Sequence, residues 1–399
     1  MSLRVLYSFP FRLGAGRICD TAWHQVVGAS MSGTDITVLA GSIARAVPDH
    51  IRVKTTCSLG HLRLPNRFIR TQYTCQLHDW LTARWLERNS ASIDLVHGWP
   101  LSSLQTIRVA RRLGIPFLLE RPNAHTAYAY EATASECRGV GLTMPVGHDH
   151  EFNQKSLSHE LQEYDECDFL LCPSDFVMKT FKDRGFESNR LLRHHYGFDP
   201  AKFSVGQQDP SQARGLVMIY VGVCEPRKGL HYALRSWLNS TASIDGKFIV
   251  CGGFVPGYAE KLQPMLDHSS ISVLGHRTDV SEQMKKSDLF VLSSVEEGSA
   301  LVTYEAKGSG CVLLVSDGAG AMCRHMADGM IHQMRDVVEL TSHLDLLNRD
   351  RELVSKLRSS SLASTTTWDA AGRRLAQIYS ATAGETTNSP KVREKKLLK

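Results

Sequence analysis

Twice along this chain an apolar strand runs into a glycine turn, and a helix and a second apolar strand follow. Leu3 to Phe9 leads through Leu13-Gly14-Ala15-Gly16-Arg17 to a helix over about Cys19 to Met31, then a Ser32-Gly33 break and a strand from Asp35 to Ala40. The pattern restarts with a strand over 216–222, a helix over 229–240 and a strand over 247–252. Apolar strands that alternate with helices belong to parallel sheets, because a parallel connection needs a crossover long enough to hold a helix. The spacing therefore predicts an α/β chain in two halves joined near residue 205. The stretch from Gly206 to Gly215, rich in Gln, Asp, Pro and Ser, reads as the linker.

The intervening sequence fits that frame. Further strands are expected at Asp94 to His97, Pro116 to Glu120 and Asp168 to Cys172, and at 271–274, 289–293 and 311–315. Leu77, Leu81 and Trp85 recur at four-residue steps in a helix from Tyr73 to Arg88. Other helices are expected at 103–113, 174–184, 257–267, 279–286, 300–309 and 350–360. The segment from Ser42 to Thr74 reads as irregular and basic, and Tyr128 to Asp168 as polar and helical in pieces. A last helix, 368–383, precedes a tail, 384–399, expected to be disordered and basic.

Composition narrows the function classes. The net charge of +5, from 46 Lys and Arg against 41 Asp and Glu, is too small to indicate nucleic acid. The longest apolar run, Leu216 to Cys224, is half the ~18 residues of a membrane helix. The first residues lack the shape of a secretion signal. The ten cysteines form no C-x-x-C pair, as expected of reduced thiols in a cytoplasmic protein. His148, His150 and His159 lie in a polar segment with no second ligand cluster, so no metal site is expected there. Arg63, Arg67 and Arg70 alternate with Leu62, Leu64 and Phe68, a pattern that suits a solvated loop or peripheral contact with an anionic membrane.

The chemistry concentrates in Ser293-Ser294-Val295-Glu296-Glu297-Gly298-Ser299-Ala300-Leu301-Val302-Thr303-Tyr304-Glu305-Ala306. A strand ends, a Glu-Gly turn follows and a helix begins. Unpaired N–H groups and the positive end of the dipole suit that helix start to a phosphate. Glu305 lies eight residues after Glu297, too far along for a capping box. Two carboxylates beside an anion site make sense as acceptors for hydroxyls, such as the vicinal diol of a sugar or ribose.

With Ala306-Lys307-Gly308-Ser309-Gly310 and an apolar strand following, this E-x7-E segment resembles family 4 of the retaining glycosyltransferases. These have the GT-B fold, two Rossmann-like domains facing a cleft. The resemblance extends over almost the whole chain. It takes in Val221-Gly222-Val223-Cys224-Glu225-Pro226-Arg227-Lys228-Gly229, Glu163 to Asp168 with Ser174, Tyr196-Gly197-Phe198-Asp199 with Phe203, and the Glu120 to Thr126 segment. Trp368 and Tyr379 match the closing helix that crosses back to the first domain. It implies an N-terminal acceptor-side domain (1–205, with the return helix 368–383) and a C-terminal donor domain (206–367).

The activity implied is transfer of a hexose-type sugar from a nucleoside-diphosphate sugar to an acceptor hydroxyl, with retention and without metal or cofactor. Glu305 would bind the ribose and Glu297 the sugar hydroxyls. Amides near Gly298, Ala300, Leu301 and Val302 would hold the diphosphate, and Lys228, with Arg227, would neutralise the leaving group. Gly14 and Gly16 would let the backbone approach the donor, His125 would sit near the reacting sugar, and His276 beside the base. The acceptor is left open among glycan, lipid and small molecule.

The chain departs from the family pattern at three places. Val223 stands where an Arg is common, Ser299-Ala300 follows Glu-Gly, and Lys307 replaces the usual Met. A dinucleotide dehydrogenase is excluded: Cys19 occupies the third Gly position of G-x-G-x-x-G, and Gly41-Ser42 rather than an acid ends the second strand. The remaining alternatives are a GT-B epimerase or phosphorylase and a non-catalytic nucleotide-sugar binding protein.

Overall fold

The structure is a computed structural model that describes residues 2–59, 62–63, 71–145, 147–148, 150–206 and 215–388. Two parallel sheets dominate it. The N-terminal sheet has seven strands in the order Arg52–Thr55, Asp35–Ile43, Arg4–Leu13, Leu95–Gly98, Phe117–Glu120, Phe169–Cys172 and Leu191–Arg193. The C-terminal sheet has six, in the order Ile271–Gly275, Lys247–Cys251, Val217–Val221, Leu289–Leu292, Val312–Ser316 and Gly329–His332. In each sheet the first strand of the half sits inside, flanked by later strands. Val5 pairs with Ile36 on one side and Leu95 on the other, and Met218 with Phe248 and Leu289. Such an order places a switch point at the carboxyl ends of the central strands, where ligands bind in open α/β sheets.

The apolar runs form these strands because both faces are covered by helices. Val5, Leu6, Tyr7 and Phe9 are fully buried, as are Met218, Ile219 and Tyr220. Trp237, on the helix Leu230–Asn239, packs on Phe248 and donates from Nε1 to Ser270 Oγ at 2.9 Å. The fold is thus the expected pair of Rossmann-like domains.

The chain crosses between the domains near Phe198 and again near Thr367, and these two segments touch. A Cβ on Gly197 would lie 2.4 Å from the Thr367 carbonyl carbon. The last helix, Trp368–Asn388, then packs on Ile18–Met31 in the N-terminal domain. Gly28 and Gly372 meet at that crossing, where a Cβ on Gly372 would come within 2.4 Å of Gly28 Cα. Tyr379 completes the attachment with a 2.6 Å hydrogen bond to Nδ1 of buried His97.

Several boundaries differ from expectation. The first strand continues past Phe9 to Leu13, with a register shift between Phe9 and Arg12. The strand Arg52–Thr55 lies inside the segment read as irregular; it is a charged, largely exposed edge strand with no apolar run to mark it. Leu191–Arg193, Gly329–His332 and the helix Val337–Arg349 also had no expected counterpart. The last helix runs to Asn388, so the first five residues of the expected tail are helical. The rest of that tail, the centre of the expected linker and most of the basic stretch 61–70 lie outside the described residues.

Candidate functional site

A cavity of about 600 Å³ opens between the two domains, at the carboxyl ends of both sheets. Arg17, Ile18 and Thr21 reach it from the first helix, Pro122 and Asn123 from the loop after Phe117–Glu120, and Tyr196 from the crossing segment. The C-terminal domain contributes the turn after Val217–Val221, the Glu297–Val302 turn and Glu305. Val221, Val223, Phe203 and Val280 give part of its wall an apolar character.

The helix Leu301–Gly308 points its N-terminus into this space. Its N-cap, Ala300, has no side-chain acceptor to cap the helix, and no amide from Gly298 to Val302 donates to a described residue. Uncapped amides at a helix start carry partial positive charge and accept an anion readily. Lys228 flanks the same opening and is ion-paired to Glu297. Gly298 is held by contact as well as by turn geometry, since a Cβ there would lie 1.5 Å from the Pro122 carbonyl oxygen.

Beneath the cavity floor, Arg227 is buried among three carboxylates. Its Nη2 donates to Glu225 at 2.7 Å, and its Nη1 donates to Glu296 Oε2 at 3.0 Å and lies 3.5 Å from Glu297. Glu296, fully buried, also accepts from the Ala124 amide at 2.9 Å, so the cluster fastens one domain to the other.

The two glutamates of the E-x7-E segment meet opposite fates. Burial alone would raise Glu297, but Lys228 and Arg227 outweigh it and hold the carboxyl down at about 2. Glu305 has only distant Lys202 to oppose burial, which pushes it up to about 7. The Glu305 carboxyl makes no hydrogen bond or ion pair to a described residue; its acceptor capacity faces the cavity.

Eight of the expected site residues therefore come together: Arg227, Lys228, Glu297, Gly298, Ala300, Leu301, Val302 and Glu305. Arg227 is placed differently from expectation, because its guanidinium is already engaged by carboxylates. His125 does not line the cavity. It caps the helix Thr126–Gly139 through the Ala127 amide, and its ring packs against Phe181 and Tyr164 behind the Pro122–Asn123 loop. Burial and neighbouring Arg121 and Arg184 lower it to about 3, so it stays neutral.

Gly14 and Gly16 also stand off the wall. Gly14 lets Arg45 approach, since a Cβ would lie 2.5 Å from Arg45 Cβ, and Gly16 faces open space. His276 is exposed on the loop after Ile271–Gly275, and Val280 fills the wall in its place. The sequence reading gave no role to Arg17, Asn123 or Glu296, although each lies in a segment it singled out.

Of the three clustered histidines, His148 and His150 stay together, their ring centres 5.8 Å apart, and only His159 is separated. His148 lies 3.4 Å from Glu225, whereas His159 pairs with Glu163, at 3.3 Å, in the N-terminal domain. No helix among the described residues is long and apolar enough to cross a membrane.

Residues 215–350 match the protein family described as Glycosyl transferases group 1. Over 127 residues the chain is 27% identical to the N,N'-diacetylbacillosaminyl-diphospho-undecaprenol alpha-1,3-N-acetylgalactosaminyltransferase of Campylobacter jejuni, covering 31% of this chain. The match spans about a third (34%) of that relative's length. Among solved structures, HepE of Anabaena in complex with UDP is similar over 96% of this chain and all of its own, with 15% identity and a TM-score of 0.64. Sucrose-phosphate synthase from Thermosynechococcus elongatus is similar over the same shares, with 14% identity and a TM-score of 0.68. At such identities the likeness speaks to fold alone. Residues 215–350 of this chain are thus similar to the Glycosyl transferases group 1 family, within a fold of two Rossmann-like domains of the GT-B type.

Proposed function

We propose that this chain transfers a hexose-type sugar from a nucleoside-diphosphate sugar to an acceptor hydroxyl, with retention and without a metal. The observation that carries the reading is the uncapped start of Leu301–Gly308, flanked by Lys228 and followed by the unpaired carboxylate of Glu305. A diphosphate on those amides leaves Glu305 to accept ribose hydroxyls and Glu297 to accept sugar hydroxyls. Lys228, released from Glu297, then meets the diphosphate and stabilises the charge that develops as it leaves. The bond from the anomeric carbon to phosphate oxygen breaks with its electron pair going to the phosphate. The acceptor oxygen bonds to that carbon on the same face and passes its proton to the phosphate.

Support for a uridine donor comes from the UDP and UDP-glucose complexes of HepE, and for a lipid-linked acceptor from the name of the Campylobacter relative. Such an acceptor fits a protein that works at the cytoplasmic membrane face. A second reading, donor binding without transfer, draws on Arg227, whose guanidinium is occupied and not free to meet a phosphate.

Incubation with UDP-, GDP- and ADP-sugars and a panel of lipid and glycan acceptors should release nucleoside diphosphate, in the presence of chelator. Lys228→Ala should cut that release by roughly a hundredfold. Tight donor binding with neither transfer nor hydrolysis across the panel would favour the second reading.

A further inference from the structure

The helix Thr71–Asn89 lies on the N-terminal domain, away from the cavity, and its two faces differ. Cys75, His78, Asp79, Thr82, Ala83 and Leu86 are buried against the domain. On the other face Tyr73 (61% exposed), Leu77 (38%) and Trp80 (41%) stand in solvent. Steps of three and four residues carry this stripe on to Arg84 and Arg88, also exposed. The stripe is therefore aromatic and apolar in its first half and cationic in its second.

Beside the cationic half a crevice of about 310 Å³ opens between the helix and the edge strand Arg52–Thr55. Trp80 and Trp85 form its apolar walls, and Lys54, Arg84 and Arg88 bring three positive charges to it. The Arg84 guanidinium lies 4.6 Å from the Trp80 ring centre, and the Lys54 ammonium 6.0 Å from that of Trp85. Among the described residues no carboxylate lines the crevice. None of the three cations makes an ion pair with a described residue, and neighbouring Glu87 is taken by Arg112. Like charges gathered without a counter-charge repel one another, and a bound anion relieves them.

We propose that this face docks on an anionic membrane, with the crevice taking a lipid phosphate headgroup and Tyr73, Leu77 and Trp80 entering the interface beside it. Tyrosine and tryptophan suit that depth because one end of each ring is apolar and the other polar. Arginine and lysine extend apolar stems while holding their charge at headgroup level. A soluble phosphate would use the cations and leave the apolar half of the stripe in water; a bilayer engages both halves. The surface shares no residue with the interdomain cavity, so the proposal stands whether or not the chain transfers sugar.

The test is sedimentation of the full chain with phosphatidylcholine vesicles, with and without phosphatidylglycerol. Binding is expected only to the anionic vesicles, weakening with salt. The Arg84→Gln, Arg88→Gln double variant should bind roughly 20-fold more weakly, and Trp80→Ala several-fold more weakly. Both should keep the thermal unfolding of the unsubstituted chain. Lys54→Gln, on the neighbouring strand, should also weaken binding and checks the crevice from a second element. Equal binding by these variants, equal binding to neutral vesicles, or no binding to either overturns the proposal. So does capture by single-stranded RNA in place of anionic lipid.

Discussion

The backbone amide of Ala124, in the N-terminal domain, donates a 2.9 Å hydrogen bond to the buried carboxylate of Glu296, in the C-terminal domain. The other oxygen of that carboxylate accepts from Arg227 at 3.0 Å. One side chain therefore couples the closure of the cavity to the charge cluster beneath its floor. Glu296→Ala leaves Arg227 to Glu225 and Glu297 and leaves the Ala124 amide without a partner. The cost expected is about 2–3 kcal/mol, below that of fully orphaning a buried charge because two carboxylates remain. Glu296→Gln, which keeps an acceptor, should lose less. Denaturant midpoints of the two variants check the order.

Glu305 gives a pH signature. Its pKa in the fold, about 7, lies above the ordinary carboxylate value, so the folded chain holds this proton more tightly than the unfolded chain. Stability contributed here is present at low pH and declines as pH rises from about 4.5 to 7. Glu305→Gln should remove that part of the slope, seen as a smaller change in denaturant midpoint between pH 5 and 7.5. Nucleotide binding should run the other way and strengthen toward pH 8, because hydroxyls need the carboxylate. Glu305→Ala should weaken it roughly 10- to 100-fold, from the ~1.5–3 kcal/mol of a hydrogen bond to a charged group.

Gly298→Ala tests the contact between the domains. The added methyl would lie 1.5 Å from the Pro122 oxygen, a backbone atom that cannot turn aside. The domains must separate to admit it. Solution scattering should show a larger radius of gyration, and donor binding should weaken while far-ultraviolet circular dichroism stays unchanged.

His125→Asn separates the cap from the reaction. Asparagine can still accept from the Ala127 amide, but the ring contacts with Phe181 and Tyr164 are lost. A stability loss of about 1–3 kcal/mol is expected, as for other partial core truncations. Turnover by the folded fraction should be unchanged, because the ring does not line the cavity. A large fall in turnover at unchanged stability would return His125 to the chemistry.

The fold was readable to the extent that its strands are buried. Val217–Val221 and Leu289–Leu292 announce themselves as apolar runs. Arg52–Thr55 does not, because an edge strand with one neighbour is stabilised by pairing to Asp35–Ile43 and not by burial of its side chains. The C-terminal half of the site was readable for a similar reason, since a turn and the helix after it hold Glu297 and Glu305 within one short segment. Arg17, Asn123 and Tyr196 lie in segments the sequence also marked, but nothing local says that they share a cavity; they reach it only because the two domains face each other.

What the sequence determined alone is local: two βα runs, the glycine turns between them and a helix start carrying two glutamates. Apolar period and turn chemistry act over a few residues, and those are legible in order along the chain. Only the tertiary structure decided which glutamate is held ionised by Lys228 and Arg227 and which is pushed up by burial. Only it brought Glu296 to Ala124, 172 residues away in sequence. Burial and Coulomb interactions depend on distance in space, and neighbours from distant parts of the chain acquire that distance only when the sheets have formed and the domains have met.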